Sequence, residues 1–371
     1  MFGSALWLLG SGLSRKRIVM PGRFRKNISA LAGYVPGEQP EDGAYIKLNT
    51  NENPYPPSPR VVAALKKAAG RSLRLYPEPM SREVRDLAAS IYGVTPENVL
   101  VGNGSDEVLS ILVRAFVGAG DRVLYPEPTY TLYDTLVAIQ EGVKVSLPYT
   151  ADFLLPEAFF SETAALTFVC NPNSPSATLL PLDVIERLVR NSSGAVVVDE
   201  AYIDFADRAG VSAIPLIKNY SNLIVLRTFS KSFSLAGMRV GLAFAGAELI
   251  DGMMKIKDSY NINRLSQTAA AAALGDLPWM ERNVQRIQRS RKKLVGGLKK
   301  LGFMVYAPQA NFVLARREGQ NLRGLYEELK RRKILVRYFG QPGLEDCLRI
   351  TVGAPDEVAA LLDQLAAIIK G

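Results

Sequence analysis

Apolar residues recur along this chain at two spacings, and the spacings take turns. Over Ser81–Tyr92, the residues Val84, Leu87, Ala88 and Ile91 fall on one face of a 3.6-residue period, which predicts a helix. Val108, Ile111, Leu112, Ala115 and Phe116 predict another. Pro59–Ala69 predicts one that starts after Ser58, with Pro59 tolerated in its first turn. Among these lie short β-rich runs: Val99–Val101, Arg122–Tyr125, Lys144–Leu147, Leu166–Cys170, Ala195–Val198, Leu223–Leu226 and Val240–Phe244. Several are apolar at every position, as strands are when helices cover both faces of their sheet. The alternation predicts an α/β fold whose large domain, residues 56–275, holds a mostly parallel sheet flanked by helices.

The character changes near residue 275. Val284, Ile287, Leu294, Leu298 and Leu301 form the apolar stripe of a long basic helix. Strand patterns at Phe312–Ala315, Ile334–Arg337 and Leu348–Val352 then interleave with helices near Leu322–Lys330 and from Pro355. Residues 276–371 therefore read as a smaller α+β domain, and residues 23–55 as an arm that joins it. Residues 1–22 read as a disordered tail. Its apolar stretch, Phe2–Leu13, is well short of the roughly 20 residues of a spanning helix. Its basic cluster follows the apolar stretch, whereas a secretory signal places charge before it. No stable membrane insertion is expected.

Composition narrows the chemistry. The 371 residues include no histidine, which removes Ser-His-Asp and Cys-His catalysis and histidine-ligated zinc. Two distant cysteines, Cys170 and Cys347, make no disulfide framework, fit a reducing, cytoplasmic location and cannot build a four-ligand zinc site, so no metal is expected. The net charge of +9 invites a nucleic-acid partner. Yet residues 1–26 carry six basic residues and no acid, which leaves the body nearly neutral. The tail also has no room for a helix-turn-helix unit. Neither a nucleic acid nor a membrane is expected as a partner. Ser290-Arg-Lys-Lys293 matches a Ser-x-x-Lys acyl-enzyme pattern, but it lies on a basic helix face without companion motifs.

The chemistry sits where strands end. Gly102-Asn-Gly-Ser-Asp-Glu107 joins a strand to a helix, and its glycines let an anion approach free N–H groups at a helix start. A tight turn capped by Ser105 or Asp106 is the plainer explanation of that segment alone. Three later runs end in Asn171, Asp199 and, just beyond the strand, Lys231. Open α/β sheets bind ligands at the carboxyl ends of their strands. A lysine there needs an anionic partner or a Schiff base, because isolated buried ammonium groups are costly. Ser230 and Arg239 near it suit a phosphate.

Together these residues resemble the fold-type I pyridoxal-phosphate enzymes, and within them the histidinol-phosphate aminotransferase family. The resemblance covers about residues 23–370. It includes Ala32-Gly-Tyr34-Val-Pro-Gly, Asn51-Glu-Asn-Pro54, Tyr76-Pro-Glu, Pro128-Thr-Tyr130, Asp199-Glu-Ala-Tyr202 and Leu348-Arg-Ile-Thr-Val-Gly353, besides the glycine and lysine segments. It implies pyridoxal phosphate held covalently by Lys231, which also moves the proton. Asp199 would pair with the pyridinium nitrogen. Asn171 and Tyr202 would hold the phenolic oxygen, and Tyr130 would stack on the ring. Gly104, Ser105, Asp106, Ser230 and Arg239 would bind the phosphate, with Tyr76 reaching it from a neighbouring subunit of a homodimer. Arg349, Arg337 and Tyr34 would contact substrate. The implied reaction is histidinol phosphate plus 2-oxoglutarate giving imidazole acetol phosphate plus glutamate, in histidine biosynthesis. An aromatic amino-acid aminotransferase and a threonine-phosphate decarboxylase are the rivals on this scaffold. Where the family usually reads Asn-Pro-Asn-Asn-Pro-Thr-Gly, this chain departs at Ser174, Ser176 and Ala177.

Overall fold

The structure, a computed structural model, describes residues 22–31, 33, 37–40 and 45–370. Apart from Gly22, the expected tail lies outside the described residues, and so does Tyr34. The strands are β1 (Ile46–Lys47), β2 (Val99–Gly102), β3 (Arg122–Glu127), β4 (Val143–Pro148), β5 (Leu166–Cys170), β6 (Ala195–Asp199), β7 (Leu223–Thr228), β8 (Gly241–Ala245), β9 (Met304–Val305), β10 (Phe312–Arg316), β11 (Ile334–Leu335) and β12 (Cys347–Thr351). The α-helices are α1 (Lys26–Ala30), α2 (Pro59–Ala68), α3 (Arg82–Tyr92), α4 (Ser105–Phe116), α5 (Leu132–Ile139), α6 (Leu182–Asn191), α7 (Ala247–Met254), α8 (Arg264–Leu274), α9 (Leu277–Lys300), α10 (Arg323–Arg331) and α11 (Pro355–Lys370).

Seven strands form the main sheet in the order β2-β8-β7-β6-β5-β3-β4. Every pairing among β3 to β7 is parallel, while β8 runs antiparallel to both β2 and β7. The cause is local. A parallel return needs a long crossover, usually an α-helix. β7 and β8 are joined instead by the loop that carries Lys231, which has only one 3-10 turn. Alternate side chains of the central strands enter different cores: Val196 and Val198 pack on one face of the sheet and Val197 on the other. This is the two-sided burial that the uninterrupted apolar runs imply.

A second sheet, β12-β10-β9, carries its own core against α9 and α11. The predicted stripe residues Val284, Ile287, Leu294 and Leu298 are buried there, and Leu301 packs at its edge. The arm divides its attachments. β1 pairs in parallel with β11. Asn27, at the start of α1, instead donates to the carbonyls of Ala138 (2.9 Å) and Ile139 (3.1 Å) on the main-sheet side. Arg291 of α9, 2% exposed, ties the second sheet to the loop after β6. Its Nη1 donates to the carbonyls of Phe205 (2.9 Å) and Ala310 (2.7 Å), and its Nη2 pairs with Asp207 at 2.7 Å.

Ala177 stands where the family usually has glycine, and its backbone keeps a left-handed conformation, φ +64°. Such a conformation costs a side-chain-bearing residue about 1–2 kcal/mol. Two backbone hydrogen bonds hold it: Ala177 N to Asn173 O at 2.8 Å, and Gln309 N to Ala177 O at 2.7 Å. Its methyl group packs beside Ala310 and Phe312.

Gly241 shows why the start of α4 can lie so close to the sheet. A Cβ there would sit 2.5 Å from the Ser105 nitrogen and 2.7 Å from the Gly104 carbonyl carbon, both backbone atoms. Gly241→Ala is expected to lower stability by about 1–3 kcal/mol, the usual cost of overpacking. Thermal melting checks this, and a midpoint equal to the parent's would mean that the turn gives way freely.

Candidate active site

A cavity of about 990 Å³ opens where the carboxyl ends of the central strands meet residues 49–52 of the arm, Arg349 of β12, and Arg337, which bridges to Arg349. Each wall delivers its side chains for a structural reason. Asp199 is the last residue of β6, so its carboxylate reaches the strand end while its backbone stays paired with β5 and β7. Lys231 follows β7 by three residues, on the loop that turns back into β8.

Asp199 is 3% exposed. Burial raises its carboxyl pKa to about 6. Two donors partly counter this: the Tyr133 hydroxyl on Oδ2 and the Ala201 N–H on Oδ1, each at 3.1 Å. Burial also lowers the Lys231 ammonium to about 8, and the positive charge of Arg349 adds to the shift. Its Nζ donates to the Thr50 carbonyl at 3.3 Å and lies 5.7 Å from the centre of the Tyr202 ring. Asn53 fixes the same loop by donating to the Lys231 carbonyl at 3.0 Å. The Tyr202 hydroxyl accepts from Asn51 at 3.2 Å, and burial pushes its pKa up, so it stays protonated.

The residues expected of an anion cradle lie together on one wall. Gly104 has φ +83°, and a Cβ on it would strike the Arg239 guanidinium at 2.5 Å. Ser105 and Asp106 open α4 on the cavity wall, beside Ser230 and Arg239. Arg239 donates to the Ser230 hydroxyl at 3.4 Å and to Asp106 at 3.0 Å. Tyr130 lines the cavity and donates to the other oxygen of Asp106 at 3.1 Å. Opposite, Arg349 donates to Ser174 Oγ and to the Asn49 carbonyl, both at 3.0 Å, with Phe312 and Phe339 flanking its guanidinium at 5.3 and 5.5 Å. Arg337 lines the same wall, and its backbone pairs with that of Arg349.

Two expected residues are placed elsewhere. Asn171 is 1% exposed, and the Leu180 backbone takes both ends of its amide: Oδ1 accepts from N at 2.7 Å, and Nδ2 donates to O at 3.3 Å. It braces the turn and does not line the cavity; from that segment Cys170 and Ser174 do. Tyr76 is 77% exposed, away from its own chain's cavity, and stacks on Tyr260 with ring centres 4.4 Å apart. Sequence reasoning missed Tyr133, Thr50, Asn53 and Ser174. Tyr133 had a signal, a second tyrosine three residues past Tyr130 at the start of a helix. Thr50 and Asn53 act through backbone atoms across long separations, which leave no local pattern.

The donor set fits pyridoxal phosphate. A lysine with a depressed pKa, a buried carboxylate and an Arg/Ser/helix-start cradle face one cavity. Each matches one part of that molecule: its aldehyde, its ring nitrogen and its phosphate.

Comparison with known proteins agrees. Residues 44–365 match the family model for aminotransferase class I and II. The chain is 46% identical over 353 residues to histidinol-phosphate aminotransferase 1 of Trichormus variabilis, covering 95% of this chain and 100% of that one. It is 44% identical to histidinol-phosphate aminotransferase 1 of a Nostoc species, covering 95% of this chain and 99% of that one. Its fold is similar to the crystal structure of histidinol-phosphate aminotransferase from Sinorhizobium meliloti in complex with pyridoxal-5'-phosphate. The TM-score is 0.86 at 28% identity, over 94% of this chain and 98% of that one. Aligned over nearly its whole length, the chain belongs to the histidinol-phosphate aminotransferase family of class I and II aminotransferases.

Proposed function

We propose that the chain catalyses pyridoxal-phosphate-dependent transamination of histidinol phosphate with 2-oxoglutarate, giving imidazole acetol phosphate and glutamate in histidine biosynthesis. The observation that carries this reading is the single cavity in which Lys231, Asp199 and Arg349 converge, in a chain of this family. Bound pyridoxal phosphate supplies an aldehyde for the substrate amine and a ring that stores the electron pair left when the C–H bond breaks.

The residues divide the remaining work. Asp199 is mostly ionised at neutral pH, and its carboxylate holds a proton on the ring nitrogen. Tyr133 and the Ala201 N–H fix its orientation. Tyr202 accepts from Asn51, so its own proton is free to be donated into the cavity toward the phenolic oxygen. Ser105, Asp106, Ser230 and Arg239 would hold the phosphate, and Tyr130 would lie against the ring. Arg349 and Arg337 take the anionic end of either substrate, since a guanidinium fork fits phosphate and carboxylate alike. Tyr34 belongs with them as a further substrate contact. Lys231 would hold the cofactor through its aldehyde, and its Nζ, as a neutral amine, would be the base that accepts the proton from the substrate carbon. At pH 7 a pKa near 8 leaves on the order of 10²-fold more neutral amine than an ordinary lysine has.

Tyr76 carries the homodimer reading. It belongs to an exposed apolar patch with Leu73, Leu75 and Tyr260, larger than isolated surface residues make. In the dimer Tyr76 reaches the phosphate in the neighbouring subunit. Both cysteines are buried and unbonded. No helix among the described residues is long and apolar enough to cross a membrane. These features fit a cytoplasmic enzyme.

Three measurements test this. Histidinol phosphate should convert the visible absorption of the cofactor-loaded protein to the amine form, and 2-oxoglutarate should restore it. Lys231→Ala should abolish the cycle. Faster conversion by tyrosine, or carbon dioxide release from phosphothreonine, would overturn the substrate. Covalent capture of cofactor by the ligand-free protein should accelerate as pH rises through about 8, because only the neutral amine attacks an aldehyde; a midpoint at the ordinary lysine value would contradict the role given to burial. Finally, Lys231→Ala and Tyr76→Phe chains, each impaired alone, should recover activity when mixed and reassembled, since one site per mixed dimer is then intact. No recovery would remove Tyr76 from the partner's site.

A further inference from the structure

A buried charge network lies behind the cavity, outside its lining. Asp199 faces the cavity, and Glu200 faces away, 1% exposed. Lys231 faces the cavity, and Ser232 faces away, 2% exposed. Both turned-away residues end on the same pair. Arg227, in β7 and 8% exposed, donates from Nη1 to Glu200 Oε2 at 3.1 Å and from Nη2 to Asp204. Ser232 Oγ donates to the other oxygen of Asp204 at 2.5 Å. Glu200 is saturated, accepting also from Ala213 N at 2.6 Å and Ser212 Oγ at 2.7 Å. Tyr92 lies under the guanidinium, 5.2 Å from ring centre to Cζ.

From this geometry we infer that Arg227, Glu200, Asp204 and Ser232 are positioning residues that lock the Lys231 segment to the Asp199 segment. The inference rests on the roles proposed above for those two residues. A hydrophobic filling of the same space would often be as stable as a buried ion network. It would not fix direction, whereas the bonds to Glu200 and from Ser232 orient the residues next to Asp199 and Lys231. Asn53 completes the lock from the arm, donating to the carbonyls of both Lys231 (3.0 Å) and Ser232 (3.3 Å). Lys231 must reach first the cofactor and then a carbon of the substrate. Misplacing a reacting group by about 1 Å can cost roughly 10²-fold in rate.

The test uses the cofactor-loaded protein. Ser232→Ala removes one hydroxyl and leaves the ion pairs. It is expected to slow single-turnover conversion of histidinol phosphate about tenfold with little change in KM, and to shift the pH midpoint of the bound cofactor's visible absorption, which is read without substrate. Ser232→Thr, which keeps the hydroxyl, should restore both. Asp204→Asn should give the same changes, larger; if that variant does not fold, the serine pair still decides. A lowered melting temperature with unchanged rate and absorption midpoint in Ser232→Ala would overturn the inference and leave the network merely structural. If the parent protein itself binds no cofactor through Lys231, the reading of the site has failed, and this inference falls with it.

Discussion

Two opposite charges have to be kept out of water at the ends of neighbouring parallel strands, and most of the architecture follows from that. Asp199 and Lys231 are each costly to bury alone. Each shifts toward its neutral form, the acid to about 6 and the base to about 8. The fold answers with fixed dipoles: the Tyr133 hydroxyl and the Ala201 N–H on the carboxylate, and the Thr50 carbonyl on the ammonium. These contacts hold the pair in place without neutralising it fully, so both groups remain within reach of a proton exchange near neutral pH.

The cavity is also a junction between separate cores. The main sheet supplies Asp199, Lys231 and the cradle. The arm supplies Thr50, Asn51 and Asn53, β12 supplies Arg349, and the segment after β11 supplies Arg337. Asn51 ties these parts together, since its backbone N–H donates to Thr351 Oγ1 at 3.0 Å while its side chain donates to Tyr202. Arg291 joins the same bodies from behind. A change in the second sheet therefore moves the anion-binding arginines relative to the lysine, which links packing far from the reacting atoms to substrate geometry.

How much of this was legible depended on whether the cause was local. The central strands could be read because burial on both faces leaves uninterrupted apolar runs. Lys231, Asp199 and the Gly104 turn could be read because a charge or paired glycines at a strand end are anomalies in themselves. The antiparallel sense of β8 could not be read from its composition, since it follows from the length and content of the preceding connection. Asn171 is ambiguous for a related reason. An asparagine at a strand end suits a ligand, but it also suits a turn, and here the Leu180 backbone claims both ends of its amide. Ala177 takes the left-handed backbone that glycine adopts unaided, and hydrogen bonds from its neighbours hold it there.

The lack of histidine gives the site a particular electrostatic character. Its neutral titratable donors are tyrosines. Tyr133 and Tyr202 are held protonated by burial, with pKa values above the ordinary phenol value. Neither changes charge in the physiological range, as an imidazole in the same position would. The protonation state of the ligand-free core therefore turns on Asp199 and Lys231. Between about pH 6 and 8 the first is an anion and the second a cation, and above that range the lysine becomes a nucleophile. Arg349 lowers the lysine from one side while Glu52 and Asp106 oppose it. An anion arriving at Arg349 would screen the first influence, so substrate binding and the basicity of Lys231 are coupled through the charge they share across one cavity.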